Sequence, residues 1–132
     1  MKLLLLYSGE FWYSPYMESP VETQKKETIN NTIVVFIHVE EHDTNREGIV
    51  SNAVQNIKWL AGKNNTSNIV LHSFAHLSSS KSDPALAEIT INSINEKLKS
   101  KKFNVHLVPF GQFYEFSLHV FGPSLAKVFK DI

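Results

Sequence analysis

Residues 73–84 read Ser-Phe-Ala-His-Leu-Ser-Ser-Ser-Lys-Ser-Asp-Pro and follow, after His72, the apolar run Ile69-Val70-Leu71. A short apolar run bounded by turn residues is a strand, and Asp83 before Pro84 is a helix cap followed by a residue pre-set for the first helical position. The stretch is thus a strand-to-helix connection. Such a connection leaves backbone N–H groups open at the helix start, where they can hold an anion or a carbonyl oxygen. It also carries a histidine, His76.

Downstream, Leu86/Ala87, Ile91, Ile94 and Leu98 recur at helical spacing and form the inner face of the helix that Pro84 opens. Residues 104–108 and 113–121 then read as strands joined by a short turn at Gly111, and Gly122-Pro123 is expected to start a last helix at Ser124. Upstream, residues 32–39 form a β-branched run suited to a buried strand. From Arg46, the positions Val50, Ala53, Val54, Ile57, Leu60 and Ala61 mark a helix that Gly62 is placed to stop. Residues 2–7 read as a buried strand and 11–13 as a second, short one. Pro15, Pro20 and the polar residues of 14–31 indicate an exposed connection. The order is strand, strand, strand, helix, strand, helix, strand, strand, helix. That is an α/β domain with a mixed β-sheet and helices packed on it, spanning 1–132 without repeat or linker.

A chain of 132 residues with 42% hydrophobic and 20% charged residues forms one core. No apolar run approaches the ~20 residues of a membrane span. Met1-Lys2-Leu3-Leu4-Leu5-Leu6 begins like a signal peptide, but the run ends at Tyr7-Ser8-Gly9-Glu10 and reads as a strand. The sequons at Asn30, Asn64 and Asn65 are then incidental, and a cytoplasmic location is expected. The absence of cysteine excludes disulfides, thiol nucleophiles and cysteine-ligated zinc. Net charge is zero, which argues against a broad nucleic-acid grip, so any RNA contact must be local. Lys97, Lys99, Lys101 and Lys102 form one such patch, although lysines at a helix end also complement the macrodipole.

Three constellations carry less than their letters suggest. His38-Val39-Glu40-Glu41-His42 spells the inverted-zincin pattern, but that chemistry needs a helix, and His38 closes a strand-like run in which i and i+4 lie ~13 Å apart. No metal is expected. Ser78, Ser79 and Ser80 with His76 and Asp83 hold the letters of a triad without nucleophile-elbow glycines; serines before a helix are caps and turn formers. His72, His106 and His119 fall on strands without an assigned role. The aromatics Phe110, Phe113, Tyr114, Phe116 and Phe121 are most simply core and sheet-face residues.

Phe-Ala-His-Leu-Ser-Ser at 74–79, the following helix, Lys102-Phe103-Asn104-Val105 and Pro109-Phe110-Gly111 together resemble the N-terminal editing domain of archaeal threonyl-tRNA synthetases. That domain has a D-aminoacyl-tRNA deacylase-like fold, and 1–8 and 34–40 fall in order with it. The resemblance implies a hydrolase that removes serine from mischarged threonine tRNA, without cofactor, in cis with or in trans to a synthetase. The implied partners are the tRNA 3′ end carrying serine, a threonyl-tRNA synthetase catalytic domain or subunit, and a second copy in a homodimer. In the family the amino acid is read through main-chain groups, and the substrate's ribose hydroxyl helps to activate water.

Carried over by residue, the resemblance implies catalytic roles for His76 and Tyr114. It implies a substrate pocket of Ser73, Phe74 and Ala75, with Val39 and Glu40 ending the neighbouring strand and Phe110, Gly111, Gln112 and Phe113 opposite. Members of the family carry a lysine where this chain has Tyr114, a small serine at His38, and a histidine and an aspartate at Tyr7 and Gly9. Two other classes stay open at this level: a catalytically silent tRNA-binding or dimerisation module of a synthetase, and a D-aminoacyl-tRNA deacylase.

Overall fold

The computed structural model describes residues 1–16 and 27–132. Strands β1 (Lys2–Pro15), β2 (Glu27–His38), β3 (Asn68–Ser73), β4 (Asn104–Leu107), β5 (Tyr114–Val120) and β6 (Lys127–Asp131) build one sheet in the order β4-β3-β2-β1-β5. Strand β6 also pairs with β1. β2, β3 and β4 are parallel, whereas β1 is antiparallel to β2, β5 and β6. The parallel strands are linked by helices α1 (Ile49–Lys63) and α2 (Pro84–Ser100). Among the described residues the sheet is therefore mixed, as the order of elements predicts.

Alternation along β2 divides the interior. Ile33, Val35 and Ile37 face α1 and α2 together with Leu3, Leu5, Ile57, Leu60, Ile91 and Ile94. Val34 and Phe36, their neighbours in sequence, point to the other face and meet Phe11, Tyr13 and Val70. The nine helix-side residues, at 0–1% exposure, make that layer a closed core.

Five expectations are corrected. The two opening strands are one, because Gly9 is an irregularity within β1 rather than its end: pairing with β5 shifts between Ser8 and Glu10. A Cβ on Gly9 would stand 2.7 Å from the Phe121 ring, so only glycine fits beneath it. Gly62 lies inside α1, and the left-handed residue beyond the helix is Asn65 at φ 54°. The last helix is a single 3₁₀ turn at Ser124–Ala126, followed by β6, whose Lys-Val-Phe-Lys-Asp alternation has a strand period. β4 and β5 are not a hairpin, since they pair with β3 and β1 respectively. Of the expected 14–31 connection, β1 and β2 take both ends, and 17–26 lie outside the described residues.

Candidate functional site

Parallel strands open their carboxyl ends to one side, and there the chain leaves β3 for α2. The connection is tied to the end of β2 nearly residue by residue. Phe74 N–H donates to the Ile37 carbonyl at 2.9 Å and Ser82 N–H to the Val39 carbonyl at 3.1 Å. Glu41 N–H donates to Ser80 Oγ at 3.1 Å and Ser78 Oγ to Glu40 Oε2 at 2.8 Å. The serines here are turn formers, as their position before a helix predicts. Asp83 accepts from Ala85 N–H, with Pro84 as the first residue of α2.

His38 is the buried centre of this attachment, at 0% exposure. Leu77 N–H donates to Nδ1 at 3.0 Å, which leaves Nε2 as the protonated nitrogen, donating to the Ser80 carbonyl at 2.6 Å. A neutral imidazole thus bridges two points of the loop on either side of Ser78. The H-x-x-E-H stretch lies on the end of β2 and the turn after it, with no helix to align its histidines.

Two hollows flank the segment 73–75. The first, about 270 Å³, is lined by Val39, Ser73, Ala75, Phe110 and Gly111 together with Ile37, Ser82, Pro84, Ala87 and Lys81. The second, also about 270 Å³, is lined by His72, Ser73, Phe74, Ala75, His76, Gln112, Phe113 and Tyr114. A recess of about 110 Å³ under Pro109 and Phe110 adjoins His72 and Tyr114. Ten of the eleven residues implied by the resemblance line one hollow or the other. Glu40 lines neither: its carboxylate is 3.0 Å from the Met1 amine and 3.2 Å from Lys2 Nζ. Burial would raise that carboxyl, but hydrogen bonds from the amine, Ser78 and Lys2 prevail and hold it at about 2.

His76 is exposed, its ring edge-on to Phe74 with centroids 4.9 Å apart. Among the described residues neither of its nitrogens has a hydrogen-bond partner. Tyr114 presents its ring to the second hollow while its hydroxyl donates to the Pro109 carbonyl at 2.8 Å. Burial raises its pKa, so it is a neutral phenol. Tyr7 and Gly9 are both covered by Phe121, the Tyr7 and Phe121 ring centroids standing 4.8 Å apart.

Two ionisable lining residues, Lys81 and His72, have no role assigned in the sequence reading. Lys81 brings a cation to the first hollow. His72 closes the floor of the second: Nδ1–H donates to the Ser73 carbonyl at 2.7 Å, and burial outweighs that bond to push its pKa down. Alternation along β3 already sets His72 and Val70 on one face, the only sign of this placement in the sequence.

The fold is α/β, a mixed six-stranded sheet with two α-helices among the described residues. Over its whole length it superposes on 99% of the solved "c-Myc DNA Unwinding Element Binding Protein", with a TM-score of 0.75 at 15% identity, a likeness of fold alone. The family model described as the archaea-specific editing domain of threonyl-tRNA synthetase matches residues 1–132, and the chain belongs to that family. It is 34% identical over 139 residues to the threonine–tRNA ligases of Thermococcus onnurineus and Pyrococcus horikoshii, all of this chain aligning with 22% of each. To the Methanobrevibacter smithii ligase it is 33% identical, over 23% of that protein. The chain thus spans about a fifth of the length of the curated relatives it matches.

Proposed function

We propose that this domain hydrolyses the ester of serine wrongly attached to threonine tRNA, in cis with or in trans to a synthetase. Physical chemistry supplies the need for such a site. A pocket made for threonine cannot strongly reject serine, because one missing methyl is worth only about 1–3 kcal/mol. A second pocket that excludes threonine by its added methyl resolves the ambiguity.

The observation that carries the reading is the pair of hollows sharing Ser73 and Ala75, in a chain that belongs to a synthetase editing family. Val39, Ser73, Ala75, Phe110 and Gly111 are the seryl pocket. Phe74, His76, Gln112 and the 84%-exposed Phe113 offer faces to the terminal nucleoside. The side chains are not arranged as a base with its orienting partner: among the described residues His76 has no hydrogen-bond partner, Tyr114 is engaged with Pro109, and Glu40 with the amine of Met1. An ester is already activated. Orientation of one water, with the substrate's ribose hydroxyl beside the carbonyl and Lys81 near the developing charge, supplies the remaining catalysis. The test is incubation of the purified chain with L-seryl- and D-aminoacyl-tRNA. Release of L-serine supports the reading, and release of only the D-amino acid replaces it with a D-aminoacyl-tRNA deacylase.

A further inference from the structure

Between α1 and α2, on the helix side of the sheet, lies a cleft of about 360 Å³. Lys58 enters it from α1, and Lys97 and Lys101 from the end of α2. Lys97 Nζ donates across it to Ser51 Oγ at 2.8 Å, joining the two helices. Among the described residues none of the three lysines has a carboxylate within ion-pair distance. In a chain with 13 basic and 13 acidic residues, three unpaired ammonium groups converging on one cleft are a local excess that repels itself until an anion enters. The α2 macrodipole accounts for lysines at that helix's end. It does not account for Lys58, because the last turn of α1 is occupied by Lys63.

The cleft and the seryl pocket share one rigid element. Ala87 lines the pocket and Lys97 lines the cleft, both on α2. Ten residues of helix separate them by ~15 Å along the axis. A stacked nucleic-acid strand covers that in about four nucleotides, at ~3.4 Å each.

We propose that the α1/α2 cleft binds the phosphate backbone of the tRNA, about four nucleotides from the 3′ end that occupies the pocket. The choice of tRNA rests on the editing reading. Lys58 and Lys101 neutralise phosphates directly, and Lys97 keeps two N–H groups for RNA after its bond to Ser51.

The test compares the whole 132-residue chain with a Lys58→Glu/Lys101→Glu variant that leaves the Lys97–Ser51 bond in place. The readouts are binding of uncharged threonine tRNA across a salt series and hydrolysis of seryl-adenosine, a small ester without phosphate. The expected result is at least a ~10-fold loss of tRNA affinity and a slope of log K against log salt shallower by about 2, with the small ester unaffected. A Lys99→Glu/Lys102→Glu control, altering α2-end lysines outside the cleft, is expected to lose about 2-fold or less. If the glutamates disturb folding, judged by circular dichroism, the Lys58→Gln/Lys101→Gln pair gives the same comparison with half the charge change. Unchanged affinity and slope, an equal loss in the control pair, or no tRNA binding by the wild type overturns the proposal. Cleavage of the small ester with unaltered RNA binding removes the cleft and keeps the editing reading. Loss of RNA binding in the variant of a chain that cleaves no ester keeps the cleft and removes the editing reading.

Discussion

The His38 imidazole stands 2.6 Å from the Ser80 carbonyl, joining the end of β2 to the middle of the loop that carries His76. With Leu77 N–H on its other nitrogen, the ring is both donor and acceptor, a pattern that a primary amide can copy. His38→Ala leaves two main-chain groups without partners and is expected to destabilise the domain by about 2–4 kcal/mol. It should also cost about 10-fold in ester hydrolysis as the loop loosens. His38→Gln should recover at least half of both losses. Thermal unfolding and amide exchange at Leu77 check this, and equal behaviour of the two variants would show that the hydrogen bonds do not hold the loop.

Glu40 gives the domain a specific acid response. Its carboxyl is depressed from 4.5 to about 2, so its contribution to stability is full above 4.5 and is lost as pH falls towards 2. Glu40→Gln is expected to destabilise the chain at pH 7 by on the order of 2 kcal/mol. Unfolding curves for variant and wild type should converge in acid. A stability difference that is the same at pH 7 and at the acid limit would place the effect in packing rather than charge.

Much of this architecture is legible in the sequence, and the exceptions share a cause. The β-branched run of β2 and the helical spacing of α1 and α2 report burial directly, and Asp83-Pro84 marks a helix start to the residue. The glycines misled because a sequence does not say what lies opposite. Gly9 is required by a ring 112 positions away, at Phe121, and Gly62 by nothing within 4 Å. Val128 and Phe129 sit in too short a run to distinguish strand from helix until β1 is there to pair with them. The resemblance gathered the residues around both hollows. The loop attachment was hidden, because Leu77 and Ser80 are 39 and 42 positions from His38.

Side-chain substitutions separate substrate-assisted catalysis from a histidine base. His76→Ala is expected to lower hydrolysis by ~10–100-fold without abolishing it, since orientation and not a proton relay is lost. Tyr114→Phe should act mainly on KM, because the bond it removes holds the Pro109 carbonyl and with it one wall of the hollows. A substrate lacking the 2′-hydroxyl of its terminal adenosine should lose more than either variant. Abolished activity in His76→Ala, with the deoxy substrate still cleaved, would make His76 the base.

The central claim is the proposal that the pocket selects serine over threonine by shape. The direct measurement is the ratio of hydrolysis rates of L-seryl- and L-threonyl-tRNA by the purified chain, under one condition and with one tRNA. The account predicts rapid loss of serine with the threonyl ester spared by at least ~10-fold, the discrimination that one methyl refused by shape provides. Equal rates on the two esters, or hydrolysis of neither, would contradict it.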